Sequence, residues 1–359
     1  MKNLLVTGGA GFIGTNFIYY VQRHYPHINI LNLDALTYAG NPDNLSNLPN
    51  PDHYHFIQGD IRDAALIEKI LLEYQIDTIV HFAAESHVDR SIADPAPFIS
   101  TNVMGTCSLL EAARKTWKSN DKTGGVKFHH ISTDEVFGSL SPNDRPFSEM
   151  TPYNPNSPYA ASKAASDHFV RAYYRTYGLP VTISNCSNNY GPFQYPEKLI
   201  PLIIINALNG KPLPIYGDGK QIRDWLFVID HCEAIMEILI HGQTGETYCI
   251  GGNTQITNLE MVEIICSLLD EKVPTPKYRP HKNLIHFVPD RPGHDRRYAI
   301  NTNKIKNTLG WQPSKDIISG LSQTIDWYLE HQEWVSTTLH KNNYQMWIQY
   351  QYGFNQDGE

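Results

Sequence analysis

No stretch of this sequence approaches the ~20 consecutive apolar residues that a membrane-spanning helix needs, so no membrane partner is expected. Cysteine is scarce and shows no pairing pattern. Cys107, Cys186, Cys232, Cys249 and Cys266 are odd in number and carry no CxxC spacing, which argues against a disulfide framework and a zinc site. No metal is expected, and a reducing compartment fits. Positive charge is also in deficit. Lys and Arg number 29 against 37 Asp and Glu, and no Lys/Arg cluster offers the footprint of a nucleic-acid binder. Internal repeats, low-complexity tracts and long linkers are missing as well. Met1 runs straight into the strand-like Leu4–Thr7 with no room for a signal peptide, so a cytoplasmic protein is expected.

What is there is 359 residues, 41% of them apolar and set out in periodic segments, a length that suggests two lobes. The first half alternates short β-branched or apolar runs with amphipathic stretches, the pattern of a parallel sheet covered on both faces. Strands are expected at Leu4–Thr7, Asn29–Leu33, His55–Gln58, Thr78–Phe82, Phe128–Ser132 and Val181–Asn185. Helices are expected over roughly Gly11–His24, Asp63–Tyr74, Pro97–Lys118 and Ser157–Tyr177. After Cys186 the rhythm changes and Pro and Gly become frequent. The reading is therefore a domain over 1–186 and a second over 187–359, with returning elements near 225–252 such as Phe227–Ile240 and Thr247–Ile250. The aromatic tail (Trp327, Trp334, Tyr344, Trp347, Tyr350, Tyr352) reads as packing of a C-terminal helix, and Trp225 as core.

Glycines at 8, 11 and 14 follow the first strand and open the first helix. Gly8 permits a tight turn, Gly11 lets the backbone approach a pyrophosphate, and Gly14 lets helix and strand pack closely, with Phe12 and Ile13 between them. The phosphates would sit on free N–H groups at the positive end of the helix dipole. Asp34 ends the second strand 20 positions past Gly14, where a carboxylate accepts hydrogen bonds from the ribose hydroxyls. It would repel a 2′-phosphate, so NAD is the expected cofactor, with Ala35, Leu36 and Thr37 beside it. Asp60 and Ile61 end the third strand, where adenine would lie. These signals define an α/β, Rossmann-type doubly wound parallel sheet with a smaller, partly discontinuous C-terminal substrate-binding domain.

Tyr159 and Lys163 stand at i and i+4, on one face of a helix whose first turn holds Pro158. A tyrosine with a pKa near 10 is a poor base at neutral pH. An ammonium ~4 Å away is worth on the order of 4 kcal/mol at an effective dielectric of ~20, or about three pKa units, which would make the phenol a working base. Asp134 and Glu135 lie just past the fifth strand, where the turn signalled by Gly138 can aim both inward although strand neighbours point oppositely. Two adjacent carboxylates in a confined site divide into an acid and a base, and the residues alone leave open which is which. An acid and a base beside a hydride-transfer site suggest an elimination. Tyr159 would take the proton of a sugar 4-hydroxyl as C4 is oxidised. The 4-ketone acidifies C5–H, one carboxylate removes that proton, and the other protonates the departing 6-hydroxyl. Hydride then returns to C6 and a proton to C5, leaving a 4-keto-6-deoxysugar.

The GxxGxxG and YxxxK motifs resemble those of the extended short-chain dehydrogenases, and the resemblance covers essentially the whole chain. Thr133-Asp134-Glu135 is similar to the motif of the dTDP-glucose 4,6-dehydratases within that group. It implies that Thr133 contacts the C4 oxygen, Asp134 is the acid and Glu135 the base. It also implies dTDP-glucose as substrate, NAD as cofactor, deoxysugar synthesis (commonly of dTDP-rhamnose) as pathway, and a homodimer joined through the Tyr159 and Pro97–Lys118 helices. Phe137 stands where that family commonly has Tyr. By the same resemblance Phe82, Ala83, Ala84 and Ser86 wall the nicotinamide ribose, and Thr101 and Asn189 touch the cofactor. Ser86 and Asn188 contact substrate, while His87 by itself reads as structural. Lys198, Leu199, Pro214, Ile215, Tyr216, Arg223, Asn258, Asp290, Arg291, Pro292, Gly293 and His294 match the nucleoside-diphosphate contacts. Arg223 and Arg291 suit diphosphate oxygens through their planar forks, and Tyr216 offers a stacking face. The alternatives are a dehydratase on CDP- or UDP-hexose, a 4-epimerase, which the Asp134–Glu135 pair disfavours, and an NAD-binding regulatory protein on a dehydrogenase scaffold.

Overall fold

The computed structural model describes residues 1–119, 125–273, 278–340 and 342–352. The first half alternates β1 (Asn3–Thr7), α1 (Phe12–His24), β2 (Asn29–Asp34), β3 (Tyr54–Gln58), α2 (Ala64–Glu73), β4 (Thr78–His81), α3 (Val88–Ala93) and α4 (Ala96–Phe98). It continues through α5 (Thr106–Ser119), β5 (Lys127–Thr133), α6 (Pro158–Tyr177) and β6 (Val181–Cys186). Beyond lie β7 (Asn188–Tyr190), α7 (Leu199–Leu208), β8 (Leu213–Tyr216), β9 (Ile222–Phe227), α8 (Val228–His241), β10 (Thr247–Ile250), β11 (Gln255–Thr257), α9 (Asn258–Lys272) and β12 (Ile285–Val288). The chain closes with α10 (Asn303–Leu309), α11 (Ile317–Glu330), α12 (Gln332–Leu339) and α13 (Asn342–Tyr352).

Seven of the strands form one sheet in the order β10-β6-β5-β4-β1-β2-β3, all parallel. Near-continuous apolar strands such as Leu4-Leu5-Val6 demand cover on both sides, and both sides have it. On one face Ile67, Leu109, Trp117 and Val170 of α2, α5 and α6 pack on Leu5, Ile79 and Phe128. On the other, Phe17, Ile18 and Val21 of α1 and Cys232, Ile235 and Leu239 of α8 pack on Leu4, Val6 and Val80. A separate core gathers α7, α9, α11 and the small sheets around Ile203, Ile204, Ile265, Leu269, Leu321 and Tyr328, with Trp225 in it. Chain direction across the sheet reverses between β1 and β4, so a crevice opens at their carboxyl ends, where ligands bind in such sheets. Thr247–Ile250 and the helix before it do return to the large sheet and its cover, as the sequence suggests.

The helical stretch over Pro97–Lys118 is not uniform. Ile99–Gly105 is a π-helical segment between α4 and α5. The Asn102 carbonyl accepts from Thr106 Oγ1 (2.5 Å) and Ser166 Oγ (2.6 Å), which draws it away from regular pairing and widens the turn. The Asn102 side chain in turn clamps the Glu85 backbone, accepting from its N–H and donating to its carbonyl. Among the described residues no helix is long and apolar enough to cross a membrane, and no cluster of side chains could hold a metal ion.

Candidate active site

At the crevice Gly8 adopts φ +73°, and a Cβ there would meet the Ala83 amide at 2.6 Å; a Cβ on Gly14 would run into the Gly8 carbonyl. The turn therefore lies hard against β4 and the first turn of α1. Gly11 caps α1 without a side-chain partner, so the first-turn N–H groups stay available to an anion. Asp34 accepts from Ala10 N (2.9 Å) and Leu36 N (2.8 Å), which fixes its carboxylate. Asp60 is gripped by Arg62 through three donors at 2.5–3.0 Å, and this holds its carboxyl below the usual range.

A cavity of about 540 Å³ begins at this turn. Gly8, Gly11, Phe12, Ile13, Gly14, Asp34, Ala35, Thr37, Asp60, Ile61, Phe82, Ala83, Ala84, Ser86, Thr101 and Asn189 line it, as do Asn188 and Lys198. Thr133, Asp134, Glu135, Tyr159 and Lys163 open into the same space. Of the expected cofactor set, Leu36 alone is off the wall; it takes φ +53° to donate its N–H to Asp34. Sequence reasoning missed Glu85, Gln194, Tyr195 and Glu197. Glu197 is a buried carboxylate between Tyr38 OH (2.9 Å), Arg90 Nε (3.4 Å) and His87 Nε2 (3.8 Å). Its only sequence signal was its place beside Lys198. His87 caps α3 under Trp347, as a structural histidine should.

Of the expected nucleotide-contact residues, Lys198 lines this cavity and the others lie off its wall. Leu199 begins α7, Ile215 turns its side chain into the second core, and Pro214 beside it on β8 is buried. Asn258 begins α9, its N–H on Gln221 O. Asp290, Arg291, Pro292, Gly293 and His294 form the loop after β12. His294 Nδ1 donates to Asp290 Oδ1 at 2.6 Å, edge-on to Tyr216. Arg291 reaches Asp89 at 3.4 Å and keeps its Nε without a partner, a donor to spare. Arg223 is buried, and two of its five N–H donors are engaged by the Ile222 and Asp295 carbonyls (2.8 and 3.0 Å).

β5 ends at Thr133 and a single 3-10 turn, Asp134–Phe137, closes on Gly138 at φ +88°. Thr133 Oγ1 accepts from Glu135 N at 3.2 Å and donates to Asp134 Oδ1 at 3.4 Å. This turn releases the two carboxylates from strand alternation and aims both inward. Asp134 is 1% exposed with Oδ2 unpartnered. Burial, then Glu135 and Asp224, push it well above the carboxylate range. Glu135 is only half-buried; burial raises it too, but Arg291, Lys198 and Arg223 pull it back. The structure thus gives the two neighbouring carboxylates different electrostatic surroundings.

The phenol corrects the electrostatic expectation drawn from spacing. Burial, followed by Glu135 and Cys186, drives Tyr159 well above 10, and only the Thr133 hydroxyl opposes. Lys163 Nζ donates to Ile131 O at 2.8 Å and abuts His130 Nε2 at 3.5 Å.

Residues 5–324 match the family model for GDP-mannose 4,6 dehydratase. The chain belongs to that family. Within this dehydratase family, a relative from Xanthomonas campestris pv. campestris named dTDP-glucose 4,6-dehydratase is 56% identical over 342 residues, covering 94% of this chain and 96% of the relative. The crystal structure of dTDP-glucose 4,6-dehydratase from Bacillus anthracis in complex with NAD is similar at a TM-score of 0.82 and 47% identity, over 94% of this chain and 100% of that one. The Streptomyces venezuelae dTDP-glucose 4,6-dehydratase, crystallised with NAD, gives 0.84 and 46%, over 93% and 98%. Family dehydratases are extended short-chain dehydrogenases, and this chain's α/β fold is theirs.

Proposed function

We propose that this chain converts dTDP-glucose to dTDP-4-keto-6-deoxyglucose with NAD, as a hydro-lyase with no net redox change. The observation that carries the reading is the shared cavity: the acid–base pair Asp134 and Glu135, with Thr133, Tyr159 and Lys163, opens into the space that begins at the Gly8–Gly14 turn.

The residues fit NAD. A Cβ would fill the cradle at Gly8 or Gly14, α1 offers uncapped N–H groups, and Asp34 retains lone pairs for ribose hydroxyls while repelling a 2′-phosphate. Phe82, Ala83, Ala84, Ser86, Thr101 and Asn189 would hold the nicotinamide half. Bound NAD would supply the acceptor of the C4 hydrogen and its later donor to C6. Tyr159, whose ionised form the Lys163 ammonium on the same helix face and the positive charge that bound NAD would bring favour against its burial, takes the 4-hydroxyl proton while Thr133 holds the C4 oxygen. With C4 a ketone, Glu135, drawn toward its ionised form by three cations, removes the acidified C5 proton. Asp134, held protonated by burial and like charge, protonates the departing 6-hydroxyl. Each positioned acid or base contributes ~10²–10⁴-fold. Lys198 and Arg291 would take the diphosphate and Tyr216 the base, in the lobe that begins near residue 187.

The reading extends to a cytoplasmic homodimer supplying a deoxysugar pathway such as that of dTDP-rhamnose. Exposed Ile99, Met104, Phe169 and Tyr177, on the α4–α5 run and on α6, support the dimer. The test is incubation with dTDP-, CDP- and UDP-glucose followed by alkali. A 4-keto-6-deoxy product develops strong near-UV absorbance and should form fastest from the dTDP sugar. A 4-epimer, which develops none, would sink the reading.

A further inference from the structure

The face of α6 that carries Tyr159 and Lys163 carries a third charged group, Asp167, at the next i+4 step. Asp167 is fully buried and stays below the usual carboxylate range, held there by His130, Lys163 and Tyr153 against its burial. Its two oxygens are used differently. Oδ2 accepts from Tyr153 OH (2.7 Å), Ser132 Oγ (2.9 Å) and Asn185 Nδ2 (3.2 Å). Oδ1 has no well-aligned hydrogen bond and is turned to His130 Nε2 at 3.2 Å. That same nitrogen lies 3.5 Å from Lys163 Nζ, so the neutral ring sits between ammonium and carboxylate. A carboxylate needed only to tie β5, β6 and the segment before α6 together would be fully served through Oδ2. The oxygen left over faces the same His130 nitrogen that the Lys163 ammonium abuts.

We infer that Asp167 is a positioning residue for the reaction: it supplies the buried counter-charge that keeps Lys163 an ammonium beneath the catalytic phenol. The inference rests on the proposed role of Lys163 in the Tyr159 site. A buried ammonium without a counter-ion is strongly unfavourable and loses its proton instead. Burial already draws Lys163 down to about 8, and Asp167 is the largest influence raising it, followed by Cys186 on β6. The other ionisable groups packed around the pair do not replace it. His81 on β4 and His130 on β5 are kept neutral by burial, and Arg171 on α6 is engaged by Tyr153 OH at 2.6 Å. Tyr153 is held protonated by burial, and Asp134 and Tyr159 on the cavity side are both pushed up.

Two measurements test this. In the holoenzyme, Asp167→Asn should move the alkaline limb of the turnover–pH profile to lower pH by about one unit or more, because Lys163 deprotonates earlier. Asp167→Glu should restore much of it. Tyr153→Phe removes a hydrogen bond from the same carboxylate but no charge and should leave the limb in place. An unmoved limb in Asp167→Asn overturns the inference. Thermal midpoints decide independently of turnover. Asp167→Asn should lower the midpoint by several degrees near pH 7, more at pH 6.5 than at pH 9, since the unfolded chain then binds a proton the folded chain lacks. In a Lys163→Met background the same substitution should cost little and show no such pH dependence. Equal losses in both backgrounds overturn the inference. Should Asp167→Asn alone not fold, folding of the Lys163→Met/Asp167→Asn protein supports it and failure of that protein overturns it. Absence of any dehydration in wild type would remove the proposed function while leaving the stability cycle to judge the charge pair.

Discussion

Asp134 and Glu135 share a 3-10 turn but not an environment. One is buried with its like-charged neighbour and Asp224, the other faces Lys198, Arg223 and Arg291. Glu135→Gln should therefore lower kcat by about 10²–10⁴-fold by slowing elimination more than C4 oxidation, so that bound NADH builds up during turnover, read by stopped-flow absorbance. Absence of that species would count against Glu135 as the group that removes the C5 proton. Asp134 carries a stability consequence as well. Its folded pKa is raised, so its ionisation weighs against folding progressively as pH rises from the unfolded value, near 3.9, through the raised folded value. Asp134→Asn should accordingly raise the thermal midpoint at pH 8 while slowing turnover, and the gain should shrink as pH falls toward 5. The two carboxylates were legible in sequence as a pair. Their different surroundings were not, because Arg223, Arg291 and Lys198 are distant in the chain and only folding brings their charge to Glu135.

At the scale of elements, the strands of the large sheet and the helices over them follow from period and punctuation. The Ser157 side chain caps α6 on Ala160 N at 3.1 Å, and Gly178 ends the helix at φ +70°, so residues 159, 163 and 167 fall on one face. The π segment over Ile99–Gly105 was not legible, since its cause is the hydroxyl of Ser166 on another helix. The aromatic tail packs, as its composition suggests, but the surface it covers is the cleft wall. Trp347 meets the His87 ring at 5.2 Å, Tyr344 meets Tyr195 at 6.1 Å, and Tyr352 meets Tyr216 at 6.1 Å. The Tyr350 side chain lies outside the described residues. Trp347→Ala should therefore release α13 locally without unfolding the sheet. Hydrogen exchange should rise in 342–352 and in the Ser86–Arg90 segment, and KM for the nucleotide sugar should increase several-fold with NAD affinity unchanged. An unaltered KM would separate the helix from substrate binding.

For the whole molecule, the parallel sheet sets a cofactor-sized crevice at its β1/β4 reversal, and the second core stands beside it with the Lys198 and Arg291 segments. Saturating NAD at about 100 times its Kd should stabilise the fold by about 2.7 kcal/mol, read as a rise in thermal midpoint. No shift at that concentration would contradict the cradle. Sedimentation should give a dimer mass, and charge placed on the exposed apolar positions, as in Met104→Asp with Phe169→Asp, should yield monomers. A monomeric wild type would refute the dimer.

The amino-acid sequence by itself determined the sheet, the glycine cradle, the acidic residue that follows it and the identity of the five groups around the chemistry, because periodicity, glycine spacing and i, i+4 relations are local. Tertiary structure decided what those groups are worth. It set Lys163 against a strand carbonyl and a buried histidine, gave Glu135 three cations and Asp134 like-charged company, and laid the C-terminal aromatics along the cleft. Charge, dielectric and packing depend on distances between residues far apart in the chain, and only the folded backbone sets those.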